Sequence, residues 1–254
     1  MGCLASEIDL ECAVFAIWDV DLHTLPQLLL PAIVPETQVA VLLSGGLDSS
    51  ILLAELLERG HAVVPLYVRS HLLWETAEQR AVRGVLGALD SPRLQQLVTL
   101  EQPIRDVYQD HWSVSGRAVP ASGSADTAVR LPARNALLTL KAGLWCHLNG
   151  VPYMALGPLK GSPFRDATRA FFDSVERMFQ LAGMSSVRVL APFAELDKRE
   201  VMQLGVRLPL DLTFSCIAPR DGRHCGECNK CAERQAAFEV SGRPDRTAYH
   251  VVAC

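Results

Sequence analysis

A chain of 254 residues, 49% of them hydrophobic, can bury a full core, either as one large α/β domain or as one domain with a small appendage. The formal net charge of −4 provides no global basic field, which argues against nucleic acid as the main partner and favours small or locally presented ligands. No apolar run reaches the roughly 18 residues a membrane span needs, and the first thirty residues carry acids where a secretory leader carries bases. The expectation is a cytoplasmic protein with no membrane partner. Met1-Gly2-Cys3-Leu4-Ala5-Ser6 fits a loose acylation pattern that is common by chance and is set aside.

Residues 10–34 alternate apolar and polar positions in short runs broken by Pro26, Pro31 and Pro35, suggesting one or two strands and a short helix. Residues 1–37 are read as an N-terminal extension. Val39 to Leu43 is a continuous apolar run ending in Ser-Gly-Gly, and a helical pattern from Ser49 to Arg59 stops at Gly60, so the unit is strand, glycine turn, helix. Val63 to Val68 predicts a second buried strand, Glu75 to Leu89 an amphipathic helix, and Leu94 to Thr99 a third strand. The stretch 116–127, rich in Gly, Ala, Ser and Pro, predicts a mobile loop able to act as a lid. Asn135 to Leu148 is helical by pattern, Tyr153 to Leu156 a strand, and Ala170 to Leu181 a helix. Such alternation predicts a doubly wound parallel sheet over residues 38–208, followed by a small cysteine-bearing module over 209–254.

Ser44-Gly45-Gly46-Leu47-Asp48-Ser49, with Ser50 behind it, lies between a buried strand and a helix start, where backbone N–H groups and the helix dipole meet phosphate oxygens. Gly45 and Gly46 permit close approach, the serines add hydroxyls, and Asp48 beside a phosphate site implies either Mg²⁺ or a helix cap. A plain strand-to-helix turn is the bland alternative. The hexapeptide lacks the lysine of a Walker loop and the third glycine of a dinucleotide fingerprint. Further on, Pro132 forces extended geometry ahead of Arg134 and Asn135, which enter a helix facing the same crevice. Here the alternative is a surface arginine followed by an N-cap asparagine.

Of eight cysteines, Cys216, Cys225, Cys228 and Cys231 share one short window, and the others show no pairing logic, so a metal in a reducing compartment explains them better than disulfides. Four thiolates close a tetrahedral zinc site and leave no open position for a zinc-activated water. His224 covers the metal or substitutes for a thiolate, Lys230 and Arg234 are expected to offset thiolate charge, and Phe214 to pack the module on the sheet.

Four features occur in order: the glycine hexapeptide, which resembles the PP-loop of the N-type ATP pyrophosphatases; Pro132-Ala133-Arg134-Asn135; Ala191-Pro192-Phe193 leading to Asp197-Lys198-Arg199-Glu200; and the cysteine cluster with its Cys-Gly-x-Cys-x-x-Cys spacing. Together they resemble the 7-cyano-7-deazaguanine synthase (QueC) family across residues 38 to 240. The resemblance implies an adenine nucleotide alpha hydrolase-like fold and an ATP-dependent ligase of queuosine biosynthesis. Such an enzyme adenylates the carboxylate of 7-carboxy-7-deazaguanine, admits ammonia to form the amide, and uses a second ATP to reach the nitrile. It implies ATP held by Ser44 to Ser50, Mg²⁺ at the pyrophosphate, structural Zn²⁺ on the four cysteines, and Asp48, Arg134 and Lys198 as catalytic groups.

Three departures stand out. The family's Tyr-Pro-Asp-Cys-Arg segment is replaced by Gly157 to Arg169, in which Phe164 either stacks on a heterocycle or shapes a turn into the following helix, while Arg165 and Asp166 form an altered pair. Asp166 either reads a guanine-like amidine edge or shapes a turn. Arg69 to Glu78 replaces a Tyr-Gly-Gln type of segment, and the N-terminal block is extra. A side branch that joins the activated carboxylate to another amine, including one on a protein, is therefore a second expectation. A non-catalytic nucleotide-binding zinc module is a third, and a homodimer is left open.

Overall fold

The computed structural model describes residues 36–250; the expectations for residues 10–34 and for Cys3, Cys12 and Cys254 lie outside them. Five strands form one all-parallel sheet in the order β3-β2-β1-β4-β5, with β1 Gln38–Leu42, β2 Ala62–Arg69, β3 Val98–Glu101, β4 Tyr153–Ala155 and β5 Arg188–Leu190. The chain builds outward from β1 to β3, then returns to the other side of β1, so the order reverses between β1 and β4. Ligands bind at the carboxyl ends of strands flanking such a switch point.

The period-two geometry of β1 explains how one apolar run serves two layers. Val39 and Val41 face a core shared with α1 (Leu47–Glu58) and α7 (Lys198–Leu204), while Ala40 faces α5 (Arg134–Leu148) and α6 (Arg169–Leu181). A third apolar cluster joins Trp74 and Ala77, where α2 (Glu75–Gly87) begins, to Phe214, Ile217 and the four cysteines. The C-terminal module is thus seated beside the carboxyl edge of the sheet, and it ends in α8 (Asn229–Ser241).

Several boundaries differ from expectation. Leu94 makes only an isolated bridge to Val63, and the β3 ladder begins at Val98, pairing with Leu66. Two single-turn helices, α3 (Arg105–Tyr108) and α4 (Trp112–Ser115), precede the expected lid. That loop is pinned rather than free: Ala121 bridges Cys228, Ser122 N donates to Glu227 O at 2.8 Å, and Asn229 N donates to Pro120 O at 3.0 Å. A loop with its backbone groups paired this way has little freedom to open. No described helix is long and apolar enough to cross a membrane.

Candidate active site and metal centre

The glycine turn follows β1. Gly45 sits at φ +76°, where a side chain is strained, and a Cβ there would lie 3.1 Å from Glu78 O and from Val82 Cγ2 on α2. Gly46 is the N-cap of α1 and has no side chain to accept from the first turn. The bland reading, in which Asp48 or Ser49 caps the helix, does not hold. Both lie inside α1, and Ser49 Oγ instead accepts from Ser44 N at 3.2 Å and meets Ser44 Oγ at 3.1 Å. The entrance of α1 is therefore left with N–H donors facing a cavity of about 540 Å³. Ser44, Gly46, Leu47, Asp48 and Ser49 line it; Gly45 turns toward α2, and Ser50 is buried with its hydroxyl unpartnered among the described residues.

Lys198 enters the same cavity from the other side. Asp197 caps α7 in a reciprocal box with Glu200, at 2.9 and 2.7 Å, which fixes the first turn and aims Lys198 outward. Lys198 Nζ donates to Asp48 Oδ1 at 2.7 Å and Oδ2 at 2.8 Å, and lies 3.6 Å from Glu233 Oε1 on α8. Burial opposes its charge, yet the two carboxylates more than offset that and hold its pKa above the usual lysine range. Glu233, in turn, is held below the usual carboxylate range by Lys230 and Lys198 against the cost of burial. Lys230 is consequently paired with Glu233, not with a thiolate.

Arg134 is the first residue of α5 and Asn135 the second, so Asn135 is not the N-cap; Ala133 is, at φ +57°. Both line the cavity. Asn135 N donates to Asp166 Oδ2 at 3.1 Å and Asn135 Nδ2 to Asp166 O at 2.9 Å, so Asp166 shapes the entrance to α5 and does not line the cavity. Arg165 is exposed in the adjoining 3-10 turn, also off the cavity wall, whereas Phe164 is half-buried on that wall. The structure thus brings Ser44, Asp48, Arg134, Asn135, Phe164 and Lys198 together and leaves Arg165 and Asp166 aside.

One group went unread in the sequence. Glu78, on α2, lines the cavity, with Tyr67 Oη donating to its Oε2 and Trp74 Nε1 to its Oε1, each at 3.0 Å. Desolvation pushes its pKa up to about 7 even though Arg134 and these donors pull it down. Its sequence signal is a Trp and a Glu four apart at a helix start, which share one face.

The sulfurs of Cys216, Cys225, Cys228 and Cys231 all lie within 4.8 Å of one another, with Cys216 and Cys228 3.8 Å apart. A tetrahedral ion with metal–sulfur bonds of about 2.3 Å separates its ligands by about 3.8 Å, so the set fits. Backbone N–H groups of Ala218 and Cys225 donate to Cys216 Sγ at 3.3 Å, as thiolate ligands require. His224 is not in this group; its Nε2 accepts from Ser215 N at 3.1 Å and its ring packs on Phe214. Arg234 is 1% exposed and donates to Thr213, Ser215 and Thr247 hydroxyls and to Leu210 O, which ties α8 to the segments on either side of it within the module. Phe214 N donates to Gly45 O at 2.7 Å, tying the module to the glycine turn.

Comparison with known proteins covers the segment that carries this site. The family model described as "Queuosine biosynthesis protein QueC" matches residues 38–242. The chain is 32% identical over 225 residues to a 7-cyano-7-deazaguanine synthase of Cupriavidus necator, covering 84% of this chain and 97% of that one. It is 34% identical over 231 residues to that of Xanthomonas campestris pv. campestris, covering 84% and 98%. Among solved structures it is similar to a 4-thiouridine synthetase in complex with RNA and ATP, at 15% identity and a TM-score of 0.44 over 81% of this chain and 50% of that one. With the glycine turn, the lysine that faces it and the four-sulfur centre all inside the matched span, the chain belongs to the QueC family.

Proposed function

We propose that this protein is an ATP-dependent 7-cyano-7-deazaguanine synthase. The observation that carries the reading is the Asp48–Lys198 pair, which joins the glycine turn to α7 across the crevice between β1 and β4. The N–H groups at the entrance of α1 and the Lys198 ammonium face the place where pyrophosphate charge develops. A carboxylate oxygen of 7-carboxy-7-deazaguanine attacks the α-phosphorus of ATP, the bond to the bridging oxygen breaks, and pyrophosphate departs. Ammonia then adds to the acyl carbon, AMP leaves with the bonding pair, and a proton goes to solvent. A second adenylation, on the amide oxygen, turns that oxygen into a leaving group, and loss of AMP and the remaining N–H protons gives the nitrile.

Asp48 is the carboxylate that would hold Mg²⁺, sharing its oxygens with Lys198; a divalent ion there neutralises pyrophosphate charge. Zn²⁺ is assigned to the four cysteines with a structural role only, since the thiolates fill its coordination. Arg134 and Phe164 are assigned to substrate, the first as a cation and the second as a stacking face.

Purified protein given ATP, Mg²⁺, 7-carboxy-7-deazaguanine and ammonia should form AMP, then amide and nitrile detectable by mass. Lys198→Met should slow acid-dependent exchange of pyrophosphate into ATP by about 10²-fold, the scale of one lost transition-state donor. Acid-dependent AMP formation without nitrile would instead favour transfer to another amine, such as one on a protein. That reading draws on Lys160, Gly161 and Pro163, which are exposed at the cavity rim and leave room for a larger acceptor. ATP binding with no exchange would favour the non-catalytic module.

A further inference from the structure

The cavity holds more than the adenylation chemistry requires. Beyond the glycine turn its wall carries Tyr67 from the carboxyl end of β2, Trp74 and Glu78 from α2 and its entrance, Trp112 from α4, and Arg134 from α5. Trp74 and Trp112 stack on each other at 5.7 Å, with planes 20° apart, and form an aromatic flank. Glu78 is fixed within it, one oxygen taken by Tyr67 and the other by Trp74. Each carboxylate oxygen has a second lone pair, so the group still accepts two further hydrogen bonds in its plane.

Arg134 faces this carboxylate without touching it. Its field reaches Glu78, Tyr67 and Tyr108, yet no hydrogen bond or ion pair occupies its guanidinium among the described residues. Oppositely charged groups in one cavity normally close on each other unless geometry holds them apart. Here Glu78 is held by Tyr67 and Trp74, and Arg134 is set by the first turn of α5, whose entrance Asp166 fastens through Asn135. The space between them is bounded by an acceptor on one side and a donor on the other.

We propose that Glu78 is a specificity-determining residue that reads the amidine edge of the deazaguanine base, with Arg134 donating to the lactam oxygen beside it. A guanine-type ring presents an acceptor oxygen, a ring N–H and an exocyclic amine in sequence, and the pair supplies the complement: guanidinium to the oxygen, carboxylate to the two N–H donors. The inference rests on the functional reading above and deepens it. It moves base recognition from Asp166, whose carboxylate is engaged by the α5 entrance, to the far wall of the cavity.

The test is calorimetric binding of 7-carboxy-7-deazaguanine to wild type and Glu78→Gln, beside ATP binding and steady-state turnover. A carboxamide still accepts from Trp74 through its oxygen and donates to the Tyr67 oxygen through its nitrogen, with the phenol hydrogen turned away, while losing half the acceptor pair that faces the base; retained ATP affinity checks that the fold is preserved. Affinity for the acid should fall about tenfold or more, in line with the loss of one bidentate base contact. The analogue lacking the exocyclic amine should bind wild type correspondingly worse, and the Glu78→Gln variant should no longer distinguish the two. Equal affinity of both proteins for the acid, or a fall in ATP affinity in place of acid affinity, overturns the role of Glu78 while leaving the functional reading intact. Tight, Glu78-dependent binding without turnover overturns the functional reading alone, and no binding of the acid to wild type overturns both.

Discussion

Glu78 also leaves a mark on stability. Burial raises its folded pKa from an ordinary 4.5 to about 7, opposed by Arg134 on α5, by Tyr67 on β2 and by Trp74, and reinforced by Glu75 on its own helix. Between those two values the folded chain holds a proton the unfolded chain has released. Stability attributable to this group is therefore complete below about pH 4.5 and is lost as pH rises through about 7. The slope cannot exceed about 1.4 kcal/mol per pH unit, and partial exposure reduces it. Denaturant unfolding of wild type and Glu78→Gln at pH 5 and pH 8 should show the variant gaining relative stability at the higher pH. A constant difference between the two would mean that Glu78 titrates normally. Lys198 adds nothing to this difference, because its raised pKa lies far above the window and it stays charged in both states throughout.

Packing between α5 and α6 depends on a helix-interior glycine. Gly143 costs α5 about 1 kcal/mol of propensity relative to alanine, so its presence needs a reason. A Cβ there would overlap the Phe179 ring, which is fully buried in α6 and has nowhere to move. Gly143→Ala is thus expected to destabilise by about 1–3 kcal/mol despite the better helix former, measured as a lowered urea midpoint at unchanged slope. A stabilised variant would show that Phe179 can shift. This glycine also illustrates what a single sequence conceals. The strands with continuous apolar runs, β1 and β2, were legible because both faces of a parallel sheet are covered, and the turn between β1 and α1 because two adjacent glycines after such a run have few other uses. The four cysteines were legible from spacing alone. Short elements were not: β5 has three residues, α3 and α4 four each, and none is long enough to display a period. Helix α8 was hidden inside a segment read for its ligands, although Ala237 and Phe238 are its buried face. Glu78 went unread and Asp166 lies off the cavity wall for a related reason, since which carboxylate faces a cavity is decided by the packing of α2 and α5, not by local pattern.

On the proposed reading the cysteine centre takes no part in bond making, yet its module borders the candidate site. Helix α8 starts at its last ligands and carries Glu233 to Lys198; Cys228 and Asn229 hold the loop 120–124; and Phe214, just ahead of Cys216, holds Gly45. Without a metal, four thiols packed within 4.8 Å lose the charge that draws them together, and each of these attachments loses its anchor. The sheet does not depend on them, because its cores lie between β1, α1 and α7 on one face and β1, α5 and α6 on the other. Stripping the metal with a chelator should therefore leave β1, β2 and β4 protected in hydrogen exchange while residues 116–129 and 213–217 lose protection. Pyrophosphate exchange should fall by about 10²-fold, the consequence of displacing the glycine turn and Lys198 by a fraction of an ångström to about 1 Å. Zinc added back should restore both. If the stripped protein keeps its exchange protection and its activity, the module is a passive appendage; if the whole sheet unprotects together, the centre supports the global fold and not the site alone.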